Sequence, residues 1–270
     1  MKKYIKISKN YIKSKITVYV VLRILVILTM IRQIFMANWN NVFMCTLTLI
    51  LFLVPAFIEK QLKIEFPNAL ETVIFLFIYA AEILGEINNF YAAIPNWDTM
   101  LHTLNGFLCA AGGFSLIDIL NQSEMFHVNL SPVFVALVAF CFSMTVGVLW
   151  EFFEYTMDHY FYMDTQKDTI VRDISSVSLE PNGENKAVVI KNIEKTEIYF
   201  RNKNGEMEAA TIEGGYLDLG INDTIEDLLV NFIGAVVFSA IGLLYIKNRD
   251  KYKFITHFIP VMQKDNTNSR

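Results

Sequence analysis

No lysine or arginine occurs between Lys63 and Lys167, yet that interval carries eleven aspartates and glutamates. Their absence excludes local ion pairs along the chain for the acids from Glu71 to Asp158. With a net charge of −4, no nucleic-acid partner is expected. Cysteine is also scarce. Cys45, Cys109 and Cys141 all fall inside apolar runs, which excludes a disulfide framework and reads them as small buried apolar residues.

Apolar sequence is plentiful. The chain is 54% hydrophobic with a mean hydropathy of +0.37. The apolar residues cluster in runs about 20 long, the length that crosses a bilayer. Six spans are predicted, at 16–37, 42–58, 70–91, 98–120, 131–158 and 225–246. Asn38-Trp39-Asn40-Asn41 is read as the turn after the first, and 118–130 as a polar loop. Basic clusters lie before the first span (Lys2 to Lys15), after the second (Lys60, Lys63) and after the sixth (Lys247, Arg249, Lys251, Lys253). The positive-inside rule sets all three in the cytoplasm. Arg23 and Arg32 interrupt the first apolar run, which favours an uncleaved span over a signal peptide.

The expected fold class is therefore an all-α polytopic membrane protein, multi-pass, with both termini cytoplasmic. Its expected divisions are 1–158 (arm and five helices), 159–222 (an extracytoplasmic β-rich insert) and 223–270 (sixth helix and tail). The insert carries seven basic and eleven acidic residues. Asn204-Gly205 predicts a hairpin turn between strands at 197–201 and 206–212, a third strand is expected at 186–191, and Pro181-Asn182-Gly183 is a turn signal.

The outer ends of the later spans gather acids. Glu151, Glu154 and Asp158 share one helical face at i, i+3 and i+7. Asp98 and His102 stand at i, i+4, with Asn105 and Gly106 continuing that face. Asp223, Asp227 and Asn231 repeat the spacing, as do Glu82 and Glu86. Bland readings stand beside each: Asp98 as a helix cap, His102 as a hydrogen-bonded buried histidine, Asp223 with Glu226 as a capping box. Glu82 or Glu86 is alternatively protonated or faces water, and Gly234, Ala235, Ser239 and Gly242 serve close helix packing. Carboxylates at one depth cannot all ionise without compensation. The options are shared protons, Arg32 near the outer end of span one, or a divalent ion. An oxygen-rich set with one imidazole suits Mg²⁺, Mn²⁺ or Ca²⁺, and Zn²⁺ where it accepts carboxylates. The candidate ligands are Asp98, His102, Glu151, Asp158, Asp223, Asp227 and Asn231, with Glu154 as general base and Arg32 as the catalytic cation.

Asp98-x-x-x-His102, Glu151-x-x-Glu154 and Asp223-x-x-x-Asp227-x-x-x-Asn231-x-x-Gly234-Ala235 resemble the YjdF-type bacterial membrane proteins and, more distantly, VanZ-like proteins. The match covers spans four to six. This chain has Thr99 where the VanZ-like pattern has Lys, Glu154 where it has Gln, and the long insert. The VanZ-like group is associated with glycopeptide-antibiotic tolerance, and the resemblance implies a shared fold and site.

Three functions are compatible with these residues. The first is a metal-dependent enzyme acting on a lipid-linked or cell-envelope substrate. The alternative is a non-enzymatic cation, proton or small-molecule binder or transporter. The third is a structural or sensor protein working through the insert. The lipid bilayer is the one expected partner common to all three.

Overall fold

The computed structural model describes residues 2–122 and 130–262, with side chains from 17 to 121 and from 130 to 260. The side chains of the basic arm, and Glu124 and His127, lie outside the described residues. The chain divides into two compact units, 1–149 with 227–270, and 150–226.

The first unit opens on helix α1 (Lys2–Phe35), which ends where Ala37 turns left-handed at φ 53°. Asn38 caps the next helix through its side chain, which accepts a bond from Asn41 N at 3.2 Å. The expected second span is two helices end to end, α2 (Trp39–Leu51) and α3 (Val54–Leu62). Pro55 explains the break: it has no N–H and its ring crowds the carbonyl four residues back. Strand β1 (Ile64–Glu65) follows.

The expected third span also departs from a single α-helix. It comprises α4 (Asn68–Tyr79) running into a π-helical stretch (Ala80–Ile87), and it stops at Asn88 and left-handed Asn89, short of residue 91. A four-residue helix α5 (Phe90–Ala93) leads to α6 (Trp97–Gln122). Helix α6 runs through Asp118, which the sequence reading gave to a loop. Then come α7 (Pro132–Phe161) and α8 (Ile221–Lys247), both of which continue into the second unit. Among the described residues, five helices are long and apolar enough to cross a membrane, at Thr17–Phe35, Trp39–Leu62, Trp97–Asn121, Pro132–Phe161 and Ile221–Lys247.

Much of their apolar surface faces outward. Ile24, Leu28, Phe57, Leu137, Leu149, Leu229 and Ile233 are all exposed, a surface that a bilayer rather than water covers. Two cores lie inside the first unit. One joins α1, α2, α4 and the π stretch through Leu22, Val26, Cys45, Phe52, Phe75, Ile78 and Ile83. Its aromatic centre is the edge-on pair Phe52–Phe75, with centroids 5.6 Å apart. The other joins α6, α7 and α8 through Ala110, Ala111, Phe114, Val135, Ala139, Ala235 and Phe238. Here glycine permits near contact of backbones. A Cβ on Gly106 would overlap the Asn231 carbonyl, and one on Gly234 the Thr103 carbonyl. Cysteine burial is uneven: Cys45 is buried and Cys109 partly so, but Cys141 is exposed on α7, because an outward position on a membrane helix suits a small apolar residue equally well.

The two ends of α6 meet the two ends of α8, so these helices run parallel. At the far end Arg249 donates to Asp118, with Nη2–Oδ1 at 2.6 Å and Nη1–Oδ2 at 3.3 Å. Burial alone would lower the affinity of Arg249 for its proton, but the bonds and charge of Asp118 outweigh it and raise that affinity. Beyond α8, β8 (Val261–Met262) pairs antiparallel with β1.

In the second unit the strands form three two-stranded antiparallel sheets. Strands β2 (Ile170–Val171) and β3 (Ile174–Ser176) precede β4 (Val188–Ile190), β5 (Lys195–Arg201), β6 (Met207–Glu213) and β7 (Tyr216–Leu217). The pairings are β2 with β7, β3 with β4 and β5 with β6. The β5–β6 hairpin turns at Asn202–Gly205, where the Asn202 side chain accepts from Asn204 N at 2.9 Å and Glu206 N at 3.0 Å, and Gly205 takes φ +81°.

Candidate functional site

Asp98, His102 and Asp227 come together in the first unit. Asn96, at φ 59°, closes the loop before α6 and accepts a bond from Met100 N at 3.0 Å, so Asp98 is inside the first turn and Asn96 holds the cap position. The helix dipole favours an acid there. One turn on, His102 Nε2 lies 3.4 Å from Asp98 Oδ1 and 3.5 Å from Asp227 Oδ2. The side chains are 28%, 12% and 6% exposed for Asp98, His102 and Asp227, so the cluster opens on the Asp98 side and closes on the Asp227 side.

A layer of amides closes the cluster below. Asn105 Nδ2 donates to Asn231 Oδ1 at 3.0 Å, and Asn231 Nδ2 donates to Met144 Sδ at 3.6 Å. Both ends of the Asn231 amide are thus engaged in joining helices, which is a different employment from the metal ligation expected of it. Gly147 packs on that amide, where a Cβ would come within 2.9 Å of Nδ2. Beneath it Ala110, Ala111, Phe114, Ala235 and Phe238 are at most 1% exposed and form an apolar layer, beside which Ser115 on α6 and Ser239 on α8 are also buried.

Two carboxylate oxygens flanking one imidazole nitrogen can hold a proton or a metal ion. All three ligand atoms lie within 4.8 Å of one another. A tetrahedral shell at about 2.1 Å has an edge of about 3.4 Å, whereas neighbouring ligands of an octahedral Mg²⁺ stand about 2.9 Å apart. The two His102 separations match the tetrahedral edge, and a nitrogen ligand favours Zn²⁺ over Mg²⁺ or Ca²⁺.

Other sequence candidates lie in the second unit. Both oxygens of Asp158 are occupied: Oδ1 by Thr165 N and Oγ1, Oδ2 by Gln166 N, all at 2.7 Å. Asp223 Oδ2 accepts from Lys167 N at 2.7 Å. It is the third residue of α8, so the capping-box position falls elsewhere. Glu154 Oε1 accepts from Trp150 Nε1 at 2.9 Å, and Glu151 is buried. In the first unit, Arg32 is exposed in the last turn of α1 and makes no ion pair among the described residues. Asn105 was noted only as continuing a face. Its role as partner of Asn231 had no signal beyond that alignment. The Asp118–Arg249 pair was missed although its signal was present, since an acid at the far end of α6 stands level with the basic cluster that follows α8.

Apolar helices in this number define a multi-pass membrane protein. The model of a family described as predicted membrane protein (DUF2238) matches residues 15–179, more than half of the chain, and the chain belongs to that family. The YjdF-type resemblance agrees with this family, and none of the matches carries the VanZ-like one. A Thermotoga maritima protein described as uncharacterized is 28% identical over 104 residues, 38% of this chain and 52% of the relative. The chain therefore spans about half the length of the curated relative that it matches. No solved structure matches it.

Proposed function

We propose that this protein crosses the bacterial plasma membrane six times, with both termini cytoplasmic, and holds a divalent metal ion at Asp98, His102 and Asp227 on the outer side. The third pass would be 68–87, twenty continuous helical residues. The parallel course of α6 and α8, with Asp118 beside Arg249, supports the pass order, since fourth and sixth passes run the same way. The observation that carries the metal proposal is the position of His102 Nε2 between two carboxylate oxygens at tetrahedral-edge distances. Zn²⁺ fits best, though Mn²⁺, Mg²⁺ and Ca²⁺ belong in the same test.

Three protein ligands leave a coordination position open, the pattern of a catalytic centre. An ion there would polarise a phosphate or carbonyl oxygen. A site at the membrane surface, reached from the Asp98 side, suits a lipid-linked envelope substrate. Protein purified without chelator should carry about one divalent ion per chain. His102→Ala and Asp227→Asn should lose it while still accumulating in the membrane, and turnover of a lipid-phosphate panel should stop with chelator. Wild-type protein that binds none of the four ions after reconstitution overturns the proposal.

A transporter is the second reading. The apolar layer of Phe114 and Phe238 under the amides disfavours a path along α6 and α8. Cation flux into proteoliposomes without lipid turnover would reverse the preference.

A further inference from the structure

Glu82 lies within the eight-residue π-helical stretch Ala80–Ile87. Such stretches are rare and cluster at functional positions, because they give up regular α hydrogen bonding to place a side chain differently. Glu82 is 3% exposed, and its Oε2 is buried with no hydrogen-bond partner among the described residues. Helices α2, α4, α5 and α6 pack against the stretch. None of these four carries a lysine or arginine; on α1, which shares their core through Leu22 and Val26, Arg23 donates to Tyr19 and Arg32 is exposed. The titratable side chains on these elements include Cys45, Glu71, Tyr79, Tyr91, Asp98 and His102, and Glu86 follows one turn along the stretch itself.

An ionised carboxylate in apolar surroundings needs a cation or several donors, and without them it takes up a proton. We propose that Glu82 is a proton-binding site inside the helix bundle, loaded at neutral pH. Glu86 is half-buried and stands between Glu82 and the exposed Asn88 and Asn89, so it offers the proton a carboxyl through which to exchange with solution. The proposal is independent of the metal cluster and survives its failure.

Dicyclohexylcarbodiimide tests it, because it reacts with protonated carboxyl groups in apolar surroundings. The carboxyl oxygen adds to the carbodiimide carbon, the acid proton passes to nitrogen, and an acyl shift from oxygen to nitrogen leaves a stable N-acylurea. The full chain in lipid vesicles would be labelled in neutral and in alkaline buffer, digested and mapped by mass spectrometry. An adduct on Glu82 is expected in neutral buffer, falling about tenfold or more in alkaline buffer. The infrared difference between wild type and Glu82→Gln should contain the C=O stretch of a protonated acid. Either signal supports the proposal, and the absence of both overturns it. Should Glu82→Gln fail to accumulate, the wild-type peptide map at the two pH values decides by itself.

Discussion

Gly106→Ala should disable the candidate site without touching any ligand. An alanine Cβ at that position would overlap the Asn231 carbonyl on α8. To restore normal contact the helices must part by on the order of 1 Å. His102 is one turn before Gly106 and Asp227 one turn before Asn231, so the separation reaches their contact almost undiminished. The 3.5 Å between Nε2 and Oδ2 would grow to about 4.5 Å, too wide for one ion with bonds of about 2.1 Å. Overpacking costs about 1–3 kcal/mol, and the better helix propensity of alanine returns about 1 kcal/mol. The expected net loss is about 0–2 kcal/mol, with metal affinity down about 10–100-fold. Gly112→Ala is the matched control, since its Cβ would meet only the Phe142 ring, at 3.9 Å. It makes the same exchange on the same helix and should hold or gain stability. Unfolding in detergent can be followed with a thiol dye that reacts as Cys45 and Cys109 emerge, and metal retention by elemental analysis. If Gly106→Ala unfolds with Gly112→Ala and keeps wild-type metal content, the close-packing account of the site is refuted.

Two further outcomes follow from groups outside the membrane core. Arg249→Ala removes the cation beside a carboxylate that is 4% exposed, whereas Asp118→Ala releases a guanidinium already 42% exposed. The first should cost about 2–3 kcal/mol and the second about 1 kcal/mol, with a double-mutant coupling above about 1 kcal/mol. Additivity within about 0.5 kcal/mol would refute the pairing. Asp218 is opposed by burial but held below its usual range by bonds from Thr169, Asn222 and Gly220. Its contribution to the 169–222 junction is present above the ordinary value of 3.8 and is lost as pH falls through the depressed one. Amide exchange at Thr169 and Asn222, corrected for intrinsic rate, should therefore rise in acid, and Asp218→Asn should show the rise already at neutral pH. Asp168 works with the opposite sign. Burial, then Asp164, Asp218 and Asp158, push its carboxyl up, so acid relieves that repulsion.

Local properties were legible in the sequence, and those set by a distant chain segment were not. Helices α6, α7 and α8 follow from uninterrupted apolar length, and the β5–β6 hairpin from Asn204-Gly205, because each is decided within one segment. The break at Pro55 was equally local but disappears in a hydropathy average. Within the π stretch Gly85 receives the Tyr91 ring, where any Cβ would collide, and spacing cannot register that contact. The same limit governs the acids. Spacing at i, i+4 reports which residues share a helical face and says nothing of what arrives opposite. Asp223 and Asp227 are one turn apart on α8 with the same chemistry and the same spacing signature. A backbone N–H from Lys167 meets the first, and the imidazole of His102 meets the second. One is thereby employed in fastening a turn of the insert, and the other stands beside an imidazole, where the proposed ion would sit, a distinction that the partners make and the spacing does not.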